Sequence, residues 1–349
     1  MKIALIVVSW LLITATVLPL VRKDAWWIRV LDFPRIQITV LTAIVLIAFW
    51  LVGSNTGFID PLLLTGLTLS LLYQSYMMYP YTVLARKQVQ QSENPQPDAS
   101  ISLLCSNVLM SNRDADRLKN TIRAANPDIV LTLETDAWWH AQLQELAQTY
   151  PYAVYQPQAN FYGMMLFSRL ELIDPQVAFL VQDDVPSIQA KVRLPSGQIV
   201  ALHCLHPRPP HPDETQQSTE RDAELLIVGR AVKPKEIPVI VLGDLNDVAW
   251  SRTNYLFQDI SGLLDPRIGR GFYNTFHATY PWLRFPLDHF FHSNHFRLVT
   301  LKCLPSVGSD HFPVFIRLSY EPDAELAQPE LQASAADQQE ADEKIAKAT

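Results

Sequence analysis

The sequence predicts a layered α/β (α+β) domain preceded by hydrophobic helices. Three features carry this prediction. Residues 1–84 hold long apolar runs with few charges, residues 99–320 alternate short strand-like runs with a few helical stretches, and most of the excess acid falls after residue 320. Many short strands with few helices imply sheet packed on sheet with helices outside.

The chain is 48% hydrophobic and 18% charged, apolar for its length, which suggests that some segments face lipid. The runs Ile3–Val21, Ile36–Val52 and Pro61–Leu84 are nearly free of charge. At about 1.5 Å per residue each spans, or nearly spans, a hydrocarbon core of roughly 30 Å, so residues 1–87 are expected to hold three transmembrane helices (3–21, 36–52 and 61–84). Trp26, Trp27, Trp50, Tyr73, Tyr76, Tyr79 and Tyr81 lie near their ends, as interfacial anchors do. The first run reads as a retained span because it lacks a clear small-residue cleavage site and two further runs follow. Arg22, Lys23, Arg29 and Arg35 lie between the first two runs, and Arg86 and Lys87 follow the third. The positive-inside rule then predicts a multi-pass inner-membrane protein with its domain in the cytoplasm.

Residues 88–99 are polar, with two prolines, and read as a linker to a domain at 100–320. The tail 321–349 carries eight acids against Lys344 and Lys347 and has little bulky apolar content, so it is expected to be disordered or weakly helical. Of the net charge of −7, −6 belongs to that tail, leaving the rest near neutral, without the basic surface of a non-specific nucleic-acid binder. Cys105, Cys204 and Cys303 each sit in an apolar run and read as small buried hydrophobes. Their odd number and the lack of a CxxC spacing argue against a disulfide framework and a thiolate metal site. Within the domain, strands are expected at 101–107, 128–134, 164–167, 188–194, 199–206, 239–242, 288–291, 296–303 and 312–318, with helices at 114–125 and 214–232.

Asn107, Glu134, Asp244, Asn246 and Asp288 each begin or end an apolar run. A carboxylate beside a buried strand is costly unless paired, hydrogen-bonded or holding a cation, so five such positions point to one shared site. In PVIVLGDLND (238–247), Gly243 permits a tight turn, and Asp244 and Asn246 share a direction by the period of two; an Asx turn capping the strand is the alternative. Adjacent Asp310 and His311 in VGSDHFPVF (307–315) would point apart and do separate jobs, unless they are only a surface pair. Asp288 in LDHFFHS is placed to orient an imidazole, and His289, His292 and His295 read as core or surface residues. His206 ends the strand in ALHCLHP, while His203 falls on a different parity. Glu134 in PDIVLTLET is a hard oxygen donor of the kind Mg²⁺ or Mn²⁺ takes.

Taken in order, Asn107 in SLLCSNVL, Glu134, the strand GMMLFSR (163–169), His206 in HCLHP, GDLN (243–246), Asp288 in LDHFF and SDHFP (309–313) resemble the endonuclease/exonuclease/phosphatase superfamily, which includes exonuclease III and the neutral sphingomyelinases. The resemblance spans residues 100–319 and implies a four-layer fold, a two-sheet β-sandwich flanked by helices. It also implies that Glu134 holds the catalytic Mg²⁺ (or Mn²⁺) with Asn107 beside it, and that Asp310 completes the metal or water network. Asp244 would orient or deprotonate the attacking water, Asn246 would contact the phosphate, His206 and His311 would bind phosphate oxygens, and Asp288 would orient His311. Where the family's abasic-site nucleases keep an acid two residues after the first-strand Asn, this chain has Leu109. With apolar runs ahead of the domain, it resembles instead the membrane-bound bacterial branch, which includes proteins linked to glycopeptide resistance.

The expected function is hydrolysis of a phosphate ester or pyrophosphate on a lipid or envelope precursor. A membrane-tethered nuclease would need a basic groove, for instance from Arg208, Arg252, Arg267, Arg270 and Arg284. A non-catalytic membrane-bound binding module would be favoured by loss of Glu134, Asp244 or His311, and all three are present.

Overall fold

The computed structural model describes residues 2–52, 59–210, 215–233 and 236–348. Glu214, at the head of one expected helix, lies outside the described residues.

Eleven strands among the described residues form two mixed sheets. One runs in the order β10 (Phe296–Cys303), β11 (Val314–Tyr320), β1 (Ser100–Asn107), β2 (Ile129–Leu133), β4 (Met164–Ser168), β3 (Tyr152–Gln156). The other runs β5 (Leu172–Ala178), β6 (Ser187–Arg193), β7 (Ile199–Leu205), β8 (Val239–Asp244), β9 (Asp288–His292). Alternate residues of the central strands face the partner sheet: Leu103, Cys105, Leu131 and Leu133 meet Leu202, Cys204, Ile240 and Leu242 in one buried cluster. Their other faces are buried too, because helices cover them, which is why these strands read as unbroken apolar runs. Helices α5 (Ala115–Ala125) and α6 (Ala137–Leu143) bring Leu118, Ile122 and Trp139 onto Leu104 and Val130. On the other side α7 (Thr219–Val232) and α8 (Arg252–Ser261) bring Leu225, Val228 and Phe257 onto Val241 and Phe291. The result is helix, sheet, sheet, helix.

Each sheet contains one parallel pair, β1 with β2 and β7 with β8. The carboxyl ends of both pairs therefore meet on one edge of the sandwich, where ligands bind in open α/β sheets.

The N-terminal region holds α1 (Lys2–Val17), a short α2 (Trp26–Arg29), α3 (Arg35–Val52) and α4 (Ile59–Met78), with Leu12, Ile38, Val45, Phe49, Leu63 and Leu67 as their shared core. The expectation of three spans is corrected here. Among the described residues one helix, Lys2–Val21, is long and apolar enough to cross a membrane, and a second span exists only if Trp26–Asp32 and Arg35–Leu51, bent by 69°, count as one. Such a count does not support a multi-pass arrangement. The third run differs because α4 buries Asp60, Ser70 and Gln74, and the chain turns away after Met78. Met78 and Tyr81 then enter the domain's own core with Trp250, Phe285 and Leu287, and the Tyr81 hydroxyl donates to the Ala249 carbonyl at 2.7 Å.

Of the two flanking segments, the first differs from its composition. The stretch expected to be a linker lies along β10, with Val89 buried and Leu298 N donating to the Gln90 carbonyl at 2.9 Å. Of the two courses expected for the acidic tail it takes the helical one, forming α9 (Ala324–Ala327) and α10 (Ala335–Ala348). Ala341 packs on Leu226, Leu256 and Ile260, and Lys344 Nζ reaches both Asp24 and Asp222 at 2.8 Å. Cys105 and Cys204 are buried as expected, but Cys303 is exposed because it ends an edge strand.

Candidate active site

Asn107 ends β1, and Glu134 follows β2 in the adjoining parallel register. Asp244 ends β8 directly opposite Asp288, the first residue of antiparallel β9. Two carboxylates facing each other across a ladder repel. The residue that resolves this is His311, whose Nδ1 lies 2.8 Å from Asp288 Oδ2 and whose Nε2 lies 3.5 Å from Asp244 Oδ2. Burial alone would lower the imidazole. The two carboxylates more than reverse that and hold it at about 10. Burial pushes Asp244 upward and the imidazolium opposes it, so a charged His311 is what allows a fully buried Asp244 to ionise.

His206, expected in the site, lies with its Nε2 3.9 Å from Asp244 Oδ2 and its ring under Tyr162. Burial lowers it to about 4, so it is neutral and can accept or donate one hydrogen bond. His203 points to the other face, into a groove with Ala201, Val232 and Val239. His289 is fixed within the core, its Nε2 donating to the Asp247 carbonyl at 2.8 Å and its Nδ1 accepting from Arg267 Nη2 at 2.6 Å.

Asn107 joins the two sheets, its Nδ2 donating to Glu134 Oε1 at 2.8 Å and to Asp244 Oδ2 at 3.1 Å. Glu134 Oε2 also accepts from Met110 N at 3.2 Å. Burial raises the Glu134 carboxyl to about 7 despite those two hydrogen bonds. Three residues here, Leu109, Glu134 and Asn246, have φ of 57°, 59° and 51°. Left-handed backbone at Leu and Glu costs of order 1 kcal/mol or more each, and such strain collects where side chains must be aimed. Gly243 has φ 147°, and a Cβ there would fall on the Leu205 carbonyl oxygen, so the close β7–β8 approach requires glycine.

Asn246 is held from both sides. Its amide donates to the Pro207 carbonyl at 3.0 Å, and its own carbonyl accepts from Arg221 Nη1 at 2.8 Å. Asp310 accepts from Ser309 Oγ at 3.3 Å. No hydrogen bond among the described residues joins it to Glu134 or Asn107, although its charge acts on Glu134 and His311. Sequence reasoning missed Tyr162, Arg221 and Thr275, whose Oγ1 accepts from Asp288 N at 3.2 Å. None of the three ends a buried strand, so none carried the signal that found the others.

Asp244, Asp288 and His311 could place three ligand atoms within 4.8 Å of one another. A cation among them would have to displace the proton on a strongly basic ring and break its bond to Asp288. The hard oxygens of Glu134 and Asn107 are the donors a divalent cation takes more readily, and a cation beside Glu134 would restore the charge that burial disfavours.

Residues 104–311, more than half of the chain, match the Endonuclease/Exonuclease/phosphatase family. No curated protein matches in a sequence comparison. Among solved structures, humanized D. rerio TDP2 is 18% identical with a TM-score of 0.54, covering 63% of this chain and 99% of that one. The human Nocturnin catalytic domain with bound sulfate is 17% identical with a TM-score of 0.52, covering 65% and 96%. An endonuclease/exonuclease/phosphatase from Beutenbergia cavernae is 18% identical with a TM-score of 0.53, covering 64% and 72%. These likenesses concern the fold; together with the family match and the acid–histidine cluster, they identify the chain as a metal-dependent hydrolase of phosphoric ester bonds that belongs to the endonuclease/exonuclease/phosphatase family.

Proposed function

We propose that this hydrolase is membrane-anchored and cleaves a lipid-linked phosphate ester or pyrophosphate with Mg²⁺ or Mn²⁺. The observation that carries the reading is the site's position. The segment from Ala25 to Asp32 that links α1 to α3 hydrogen-bonds directly to the catalytic domain, through Trp250 Nε1 to the Asp32 carbonyl at 2.7 Å and Trp26 N to the Gln216 carbonyl at 3.0 Å. The apolar helices and the site thus belong to one packed body. With α1 as the anchor, the basic residues Arg22, Lys23, Arg29 and Arg35 fall on the domain's side, which favours the cytoplasmic face.

In the proposed reaction Glu134 and Asn107 would hold the cation, with Asp310 nearby completing its water network. When bound, that ion supplies Lewis-acid polarisation of a phosphate oxygen. Asp244 accepts the proton of the attacking water, being oriented by Asn107 and by Asn246 N, which donates to its Oδ1 at 3.0 Å. His311, charged and fixed by Asp288, stabilises negative charge developing on the phosphate oxygens, and His206 and Asn246 contact the same group.

A tethered nuclease is less well supported, because four of the five arginines that would form a basic groove are committed elsewhere, leaving Arg284, which lies over the Phe312 ring. Arg267 is buried on Asp265, Arg252 pairs with Asp337 and Glu340, Arg208 pairs with Asp184, and Arg270 donates to the Val89 carbonyl. The D. rerio TDP2 complex with a single-strand DNA product makes DNA the comparison to include. Purified full-length protein given equal phosphate as a lipid pyrophosphate in mixed micelles or as plasmid DNA tests the reading. Preference for the lipid by tenfold or more in kcat/KM is expected, and preference for DNA would overturn it.

A further inference from the structure

The loop between Phe276 and Phe285 leaves the site with five consecutive exposed residues, Thr279-Tyr280-Pro281-Trp282-Leu283. Trp282 is 67% exposed, and Tyr280 and Leu283 beside it are 45% and 43% exposed. Three large apolar side chains on one loop tip are not scattered surface residues, and they call for a partner.

Both ends of the loop are tied to the chemistry. Phe276 packs on the His311 ring at 5.0 Å, and Ala278 N donates to the Asp310 carbonyl at 2.6 Å. Arg284 lies over the Phe312 ring, and its Nε finds no hydrogen-bond partner. The tip is also tied to the apolar helices. Gln37, in the first turn of α3, donates its amide to the Trp282 carbonyl at 2.8 Å, and Phe33 packs edge-on against Phe285. Gln37 heads a stripe at helical spacing that continues through Leu41, Ile44, Ile47 and Leu51, all exposed. Trp282 therefore sits about one turn beyond the point where an apolar, outward-facing helix stripe begins. That is the level at which tryptophan and tyrosine settle at a bilayer surface, with a cation beside them for phosphate headgroups.

We propose that Thr279–Leu283 is a bilayer-docking loop that seats Tyr280, Trp282 and Leu283 in the headgroup–acyl boundary and holds the mouth of the active site against phosphates at the membrane surface. This rests on the lipid-substrate reading for its purpose but not for its test. Full-length protein carrying Trp282→Cys in a Cys303→Ser background, labelled with an environment-sensitive fluorophore, is reconstituted into phosphatidylcholine–phosphatidylglycerol vesicles. Lipids carrying a nitroxide near the headgroup should quench the label at least twofold more than aqueous iodide does. Stronger quenching by iodide would overturn the docking loop whatever the substrate proves to be. In parallel, Tyr280→Ser/Trp282→Ser should leave hydrolysis of soluble bis-p-nitrophenyl phosphate within twofold of wild type and raise the surface-concentration KM for a vesicle-borne lipid pyrophosphate at least fivefold. An unchanged KM on vesicles would also overturn the proposal. Nitroxide quenching without turnover of lipid phosphate would uphold the loop and remove the substrate reading instead.

Discussion

Asp244 and Asp288 face each other in register, and His311 between them turns a repulsive pair into a charged triad. Each member has a separable role and hence a separable signature. In the proposed reaction Asp244→Asn would remove the proton acceptor and His311→Gln the charge that meets the phosphate, so each should lower kcat by about 10²–10⁴ while the far-ultraviolet circular dichroism stays unchanged. Asp288→Asn leaves the ring in place but takes away one of the two carboxylates that raise it. The smaller loss, roughly tenfold to a hundredfold, should come with a fall of the histidine's titration from about 10 toward neutrality, followed by NMR of the imidazole protons. These residues were legible in the sequence because an acid or amide at the end of a buried strand has few cheap explanations. Thr275, Tyr162 and Arg221 were not, since each acts on a neighbour from a loop or helix and looks ordinary in one dimension.

At the scale of elements, one feature of the second sheet and one of the helix covering it are testable. The β7–β8 contact leaves no room for a side chain at Gly243, so Gly243→Ala should cost several kcal/mol or abolish folding, read by urea unfolding. On α7, Glu224 is buried with its Oε1 unpartnered, and burial raises it to about 8 from an ordinary 4.5. A raised acid binds a proton in the folded state that the unfolded chain has already released. Stability therefore falls as pH rises from about 4.5 to about 8, at up to about 1.4 kcal/mol per pH unit. Glu224→Gln should remove that slope, leaving the variant more stable than wild type by roughly 1–3 kcal/mol at pH 8 and little different at pH 4.5. An equal pH slope in both proteins would exclude Glu224 as its source. The buried central strands were legible from their apolar runs. Edge strands β3 and β5 were missed because none of their residues is fully buried, and α8 because its apolar face, Leu256, Phe257 and Ile260, covers little more than one turn.

At the scale of the whole molecule, segments that composition marks as peripheral close the structure. Lys344 of the tail lies between Asp24 of the N-terminal region and Asp222 of α7, and Asp222 also meets Arg221, which holds Asn246. Lys344→Met leaves two acids short of a partner and should lower Tm by about 5 °C or more, as should truncation after residue 320. Composition could not reveal this, because two lysines among eight acids give no sign of what either will face. Nor could hydropathy show that the third apolar run ends by packing Met78 and Tyr81 into the catalytic domain. These segments all converge on one edge of the sandwich, proposed above as a metal-dependent phosphoesterase site. The most direct test of that site is bis-p-nitrophenyl phosphate hydrolysis by full-length protein, stripped of metal and titrated with Mg²⁺, beside Asp244→Asn. Saturable Mg²⁺-dependent turnover in the wild type, lost at least a hundredfold in the variant, is predicted; turnover that ignores Mg²⁺ or survives in Asp244→Asn would contradict the account.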